Sequence, residues 1–277
     1  MLSLAAYTMD ELSNYISVGN EKLHYLQWGS GKRLLLAFHG YGNDAHIFGA
    51  FKEYLAKEYT ILSFDLPHHG ESKWPDGVKL TKPQLSDMVD RIKATYKVEK
   101  ISLLGYSMGG RVCLSIIEGI PEAIDKVVLI AADGLTINFY YYFLTRTFIG
   151  RKLFKNMLEK PQRFFTVLNW LNKKHLVNAA RHRFVTYFLH SENSRKFLLQ
   201  VWPGMSDIIP SPTKLKRLIG QYHIPVSIFM GAQDRIIPPS LAKNFKEGLD
   251  TVQLYVLEKG HQVFDHQNAQ QIAVRLL

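Results

Sequence analysis

The stretch Ile101 to Gly110, ISLLGYSMGG, constrains this chain more than any other, because it reads as a strand that enters a sharp turn and leaves as a helix. Within it, Gly105-Tyr106-Ser107-Met108-Gly109 puts a serine at the tip of the turn, with glycine two positions away on each side, where the backbone doubles back too closely for larger residues. A turn of this kind lifts the hydroxyl clear of its surroundings. Ile101 to Leu104 is a short apolar run following the polar Lys97 to Lys100. Val112, Leu114, Ile116 and Ile117 then make the helix apolar enough to lie against a sheet.

Placed around that stretch, the chain alternates strand and helix. Asn14 to Val18 and Lys22 to Gln27 form two short strands joined by Gly19-Asn20, the pattern of an antiparallel edge hairpin. Arg33 to Phe38, RLLLAF, is continuous in apolar residues, as in a strand buried on both faces, and ends in His39-Gly40-Tyr41-Gly42. Ala50 to Glu58 has helical spacing. The strand Tyr59 to Phe64 then ends in Asp65-Leu66-Pro67-His68-His69-Gly70-Glu71-Ser72, where proline and glycine impose a turn. Lys82 to Tyr96 is a predicted helix with Pro83 in its first turn, and Lys126 to Ala132 is another buried strand.

From Gly134 to Pro212 the rhythm is helical only: Arg151 to Leu158, Gln162 to Val177, Ala179 to Leu189 and Ser194 to Val201. Strand and helix then return as Val226 to Met230, Pro239 to Gly248, Val252 to Leu257 and a closing helix from Val263 to Leu277. The pattern predicts an α/β fold with a mostly parallel sheet and helices on both faces. Residues 1–133 and 213–277 form its core, and 134–212 form an inserted all-helical module.

The net charge of +10 resembles a nucleic-acid signal until its location is considered. Between Leu135 and Pro212 twelve Lys or Arg face three acids, Glu159, Glu192 and Asp207, and the same segment holds 15 of the 34 aromatic residues. The charge therefore belongs to the insertion. No motif that reads bases accompanies it, so nucleic acid is not an expected partner. A solvated helix surface, an anionic membrane surface and an anionic substrate group are the three readings left. Cys113, the only cysteine, excludes an intramolecular disulfide and is expected to be a small buried apolar residue. The opening MLSLAAYTMDELSNY lacks a basic region followed by a long apolar core, so a cytoplasmic protein is expected.

In open parallel sheets, catalytic groups collect at the carboxyl ends of the strands. His39, Ser107, Asp234 and His261 each follow a predicted strand there. Asp133 is a second candidate acid, and His266 a second candidate base. The adjacent His68 and His69 cannot easily face one ion, and no matching Cys, Asp or Glu spacing accompanies them, so no metal is expected.

Five pieces, HGYG, DLPHHGES, GYSMGG, GAQDRIIPP and KGHQ, appear in an order and spacing that resemble the α/β-hydrolase family from Arg33 to His261. DLPHHGES is similar to the family's D-x-P-G-H-G-x-S turn, whereas GHQVFDH departs from what usually follows the family's histidine. The resemblance implies a hydrolase with a catalytic triad of Ser107 as nucleophile, His261 as base and Asp234 as its orienting acid. It also implies an oxyanion hole from the backbone N–H groups of Tyr41 and Met108, and a cap formed by the insertion. No cofactor is implied. The expected reaction is cleavage of a small-molecule carboxylic ester with an apolar acyl or alcohol part. A thioesterase, a carbon–carbon bond hydrolase with the same triad, and a catalytically silent binding protein are the alternatives. In the cap, Phe139 to Phe143, Phe164, Phe165, Trp170, Phe184, Tyr187, Phe188 and Trp202 are expected to supply an apolar wall, while the basic residues keep their three readings, a peripheral contact with anionic membrane among them.

Overall fold

A computed structural model describes residues 11–173, 189 and 191–277. Strands β1 (Leu12–Val18), β2 (Glu21–Trp28), β3 (Arg33–Phe38), β4 (Tyr59–Phe64), β5 (Ile101–Tyr106), β6 (Ile124–Ile130), β7 (Val226–Gly231) and β8 (Val252–Leu257) form one sheet. Their order is β1-β2-β4-β3-β5-β6-β7-β8. The β1–β2 hairpin and the β2–β4 pair are antiparallel, and every other pairing is parallel. The mostly parallel α/β architecture expected from the sequence is thus the observed one.

The central strands show why their sequences carry no polar alternation. Leu34, Leu36 and Phe38 of β3 pack into one apolar layer, and Leu35 and Ala37 into the layer on the opposite face. In β5, Ile101 and Leu103 divide from Leu104 and Tyr106 in the same way. Burial of each such side chain stabilises the fold by about 1.5–3 kcal/mol. Since β3 and β5 are neighbours with Phe38 beside Gly105, the loops that leave them meet at one rim. The loops after β7 and β8 reach the same rim from the other side.

Between β6 and Ser211 the described residues form four helices, Phe139–Arg146, Phe148–Glu159, Pro161–Lys173 and Glu192–Gly204. The predicted helix Ala179 to Leu189, apart from Leu189 itself, and the end of Gln162 to Val177 lie outside the described residues, as do Phe184, Tyr187 and Phe188. Aromatic packing ties the helices together: Trp202 stacks on Phe154 at 5.3 Å and meets Tyr141 edge-on at 5.2 Å. The expected aromatic wall is corrected here. Of Phe139 to Phe143, Tyr141 alone is buried, while Phe139, Tyr140 and Tyr142 are exposed, as is Trp170.

Two further elements differ from expectation. Pro212–Gln221 is a helix that sequence patterning left unassigned, capped by Ser211 accepting from the Lys214 N–H and burying Leu215, Leu218 and Ile219. The closing helix is confined to Ala269–Ala273. Before it, the Asp265 carboxylate accepts from the Gln267 and Asn268 N–H groups at 3.0 and 3.2 Å, and Asn268 donates to the Val263 carbonyl at 2.7 Å. These side-chain bonds compete with helix hydrogen bonds and hold 263–268 as a turn.

Candidate active site

Ser107 sits between β5 and the helix Met108–Gly119 at φ 50° and ψ −114°, a conformation that costs an L-residue of order 1–3 kcal/mol. The surrounding glycines explain how the turn closes. A Cβ on Gly109 would lie 1.8 Å from the Phe38 carbonyl oxygen, and one on Gly105 would lie 2.7 Å from the Cys113 sulfur. The backbone of the turn is itself tied down: the Ser107 N–H donates to the Ile130 carbonyl, and the Ser107 carbonyl accepts from Asp133 and Gly110. The side chain is what projects.

That side chain meets the two others expected with it. His261 Nε2 lies 3.0 Å from Ser107 Oγ, and His261 Nδ1 lies 2.8 Å from Asp234 Oδ2. Asp234 is fully buried at its carboxylate, whose other oxygen accepts the N–H groups of Ile236 and Ile237 at 2.8 and 2.9 Å. A carboxylate so held can only accept from His261, which places the imidazole proton on Nδ1 and leaves the Nε2 lone pair toward the serine hydroxyl. His261 stays 21% exposed at its side chain, so the serine end of the chain faces solvent.

The loop after β3 passes beside the serine: a Cβ on Gly40 would lie 3.1 Å from the Ser107 Cβ. Tyr41 follows in that loop. Met108 opens its helix, where an N–H has no partner within the helix itself. Two buried histidines lock the loop in place. His39 accepts from the Leu66 N–H at 3.0 Å and donates to the Gly40 carbonyl at 2.7 Å. His69 accepts from the Gly42 N–H at 3.2 Å and donates to the Pro67 carbonyl at 2.8 Å. Each ring has one nitrogen that must accept, so both are neutral. Burial, together with the neighbouring His39, lowers the His69 pKa from 6.5 to about 3, and burial lowers that of His39 as well.

The family model of the alpha/beta hydrolase fold matches residues 33–264. The chain belongs to the α/β-hydrolase family. It is 27% identical to the uncharacterized hydrolase YugF of Bacillus subtilis over 243 residues, which cover 84% of this chain and 85% of that one. It also matches the dihydrolipoyllysine-residue acetyltransferase component of the acetoin cleaving system of Cupriavidus necator at 26% identity, but spans only 58% of that longer protein. Among solved structures, a putative lipase from Acinetobacter baumannii superimposes with a TM-score of 0.64 at 20% identity, covering 96% of this chain and 90% of that chain. The meta-cleavage product hydrolase CumD of Pseudomonas fluorescens does so with a TM-score of 0.64 at 18% identity, covering 95% and 97%. At such identities the structures speak for the fold alone.

Within this α/β-hydrolase chain the rival candidates face elsewhere. The Asp133 carboxylate accepts from the Gly134 N–H at 2.8 Å and lies 3.5 Å from Arg111. His266 is exposed on the 263–268 turn. Cys113 is buried under the serine turn, and burial pushes its thiol pKa up. His68 buries its ring beside Gly204, 3.9 Å from Asp76. Among the described residues no group of three or more His, Cys, Asp or Glu is placed to hold a metal.

One contribution escapes sequence reasoning, and a second residue, Asp65, expected to fix its turn by accepting backbone hydrogen bonds, does so with a further partner. Tyr106, the variable residue before the serine, donates its hydroxyl to the His261 carbonyl at 3.4 Å and packs its ring on Phe264, bracing the loop that carries the imidazole. Asp65 accepts from the Ala45 and Glu71 N–H groups at 2.7 and 2.9 Å and from buried His24 at 2.7 Å. Those bonds hold its pKa below the usual carboxylate range against the opposing effect of burial. The Asp-x-Pro spacing marked a turn, but nothing local showed that His24, on another strand, completes it.

Proposed function

We propose that this protein is a serine hydrolase that cleaves a carboxylic ester with an apolar acyl or alcohol part through an acyl-enzyme intermediate. The observation that carries this reading is the continuous chain Ser107–His261–Asp234, with the serine held in a strained turn at the opening of a helix. A serine hydroxyl is a weak nucleophile at neutral pH and needs a base in contact. In the proposed cycle, Ser107 Oγ attacks the ester carbonyl as His261 Nε2 takes its proton, and Asp234 stabilises the imidazolium. The carbonyl oxygen becomes an oxyanion, which accepts hydrogen bonds from the N–H groups of Met108 and Tyr41. Loss of one such donor typically lowers turnover by roughly a hundred- to a thousandfold. The imidazolium then protonates the departing alcohol. Water, deprotonated by the same ring, hydrolyses the acyl-serine and returns the hydroxyl.

The apolar preference rests on what covers the site. Phe197 of the helix Glu192–Gly204 lies 5.0 Å from the Tyr41 ring and 4.9 Å from His69. A group leaving Ser107 in that direction meets aromatic surface. A fluorophosphonate probe is expected to label wild type and not Ser107→Ala, and p-nitrophenyl esters of rising chain length are expected to be cleaved best above acetate. Absence of labelling in folded protein would favour a silent binding protein, and a preference for acetate would remove the apolar assignment. A second reading, carbon–carbon bond cleavage by the same serine, is supported by a 26% match over 132 residues to the 2-hydroxy-6-oxo-6-(2'-aminophenyl)hexa-2,4-dienoic acid hydrolase of Metapseudomonas resinovorans. Assay of a dienoate meta-cleavage product beside the esters and thioesters separates the three chemistries.

A further inference from the structure

The outer surface of the helices between β6 and β7 is unlike the rest of the molecule. Phe139 is 70% exposed, Tyr140 74%, Phe148 75% and Ile149 70%, the four highest values among the large hydrophobic residues described. Ile137, Tyr142, Leu153 and Trp170 are exposed on the same segment. Elsewhere exposed apolar residues are scattered singly, which is ordinary for a protein surface. A concentration of this kind marks an interaction site.

The local fold explains the exposure. Helix Phe148–Glu159 buries Gly150, Phe154 and Leu158 on one face, so Ile149, Lys152, Leu153 and Asn156 are turned outward. Helix Phe139–Arg146 buries Tyr141 and Thr145 and turns Phe139, Tyr140 and Tyr142 away. Thr147 alone separates the two helices, and they pack on one another. Beneath them lies Trp202 of the helix whose Phe197 rests on Tyr41, so their outer face is the far side of the layer that covers the candidate active site.

The charge on this face decides the partner. From Phe139 to Lys160 the sequence holds Arg146, Arg151, Lys152, Lys155 and Lys160 against Glu159 alone. Arg151, Lys152 and Lys160 have no acidic partner among the described residues, whereas Arg146 pairs with Asp207 and Lys155 with Glu159. Exposed aromatic and aliphatic side chains interleaved with unpaired cations match the boundary of a bilayer that carries anionic headgroups. The rings enter between acyl chains while Lys and Arg stay with phosphate. No described helix is long and apolar enough to span a bilayer, so the contact would lie in the interface plane. We propose that the outer face of helices Phe139–Arg146 and Phe148–Glu159 docks peripherally on an anionic phospholipid surface. The proposal stands on this face and not on the reaction assigned to Ser107.

Flotation of the full chain with vesicles of phosphatidylcholine, with and without phosphatidylglycerol, tests it. Wild type is expected to float with the anionic vesicles at low salt and to be released at high salt. The variant Phe139→Ser/Tyr140→Ser/Phe148→Ser/Ile149→Ser is expected to stay at the bottom of the gradient. Arg151→Gln/Lys152→Gln/Lys160→Gln is expected to bind anionic vesicles on the order of a hundredfold more weakly. Both sets of side chains are exposed, so thermal unfolding and fluorophosphonate labelling of Ser107 should match wild type and certify the fold. Tyr222→Ser, on a distant surface, should float as wild type does. The proposal is overturned if wild type fails to float at low salt or if the apolar variant floats unchanged. It is equally overturned if sedimentation shows that the same four residues serve self-association while vesicles are ignored.

Discussion

The described residues hold two Ser–His–Asp arrays of nearly equal dimensions. In one, Ser107 Oγ, His261 and Asp234 are linked at 3.0 and 2.8 Å; in the other, Ser13 Oγ, His24 and Asp65 are linked at 2.9 and 2.7 Å. Distances do not distinguish them, but their settings do. Ser107 stands at the carboxyl end of a parallel strand, strained, at the opening of a twelve-residue helix and beside the loop that carries Tyr41. Ser13 lies near the start of β1 on the antiparallel edge, paired in regular register with Leu26. No helix begins there. Asp65 in turn gives its remaining contacts to the turns around Ala45 and Glu71, the work of a brace. A hydrogen-bonded relay becomes a candidate for catalysis when backbone donors stand close by, and of the two serines Ser107 alone sits at a helix opening with a second loop beside it.

The sharpest way to break this contrast is to remove each serine. Ser107→Ala is expected to lower ester turnover by roughly 10⁴-fold or more with unchanged thermal unfolding, whereas Ser13→Ala should leave turnover as it is. Equal losses in a p-nitrophenyl ester assay would erase the distinction. The acids extend the test. Asp234→Asn is expected to cost about 10⁴-fold in kcat by disturbing the His261 tautomer. Asp65→Ala should chiefly lower stability, by about 3–5 kcal/mol in urea unfolding, because it orphans buried His24 and two backbone N–H groups.

The histidines that lock the Tyr41 loop give a smaller, pH-dependent effect. His69 in the unfolded chain takes up a proton near pH 6.5, but the folded site resists it until about pH 3. The unfolded state therefore binds more protons between these values. The contribution of His69 is complete above pH 6.5 and declines toward pH 3, by up to about 1.4 kcal/mol per pH unit. His69→Gln is expected to cost about 1–2 kcal/mol at pH 7 and to flatten the slope of urea midpoint against pH. A slope that persists in the variant would assign the acid sensitivity to other groups. The smallest expected change is the stability of Ser13→Ala, within about 1 kcal/mol of wild type.

How far the sequence could be read depended on whether the determining contacts were local. β3, β5, β6 and β7 were legible because burial on both faces writes itself as an uninterrupted apolar run. The serine turn was legible because Gly105 and Gly109 are forced by contacts at its own base. The aromatic run Phe139 to Phe143 was misread because five consecutive rings on a helix point around its whole circumference, and only Tyr141 faces inward. The shortened closing helix was invisible as well. Its apolar spacing was sound, yet Asp265 and Asn268 offered the backbone a competing turn. The roles of His24 and His69 lay beyond local reading, since the partner of one is 41 residues away and that of the other 27.

The positive φ of Ser107 has an evolutionary corollary. Glycine adopts that backbone geometry without a steric cost, so Ser107→Gly should unfold at a higher temperature than Ser107→Ala. A population selected for thermal endurance alone would therefore drift toward glycine at 107 and away from chemistry. A side chain at 107 thus runs against the preference of its own backbone.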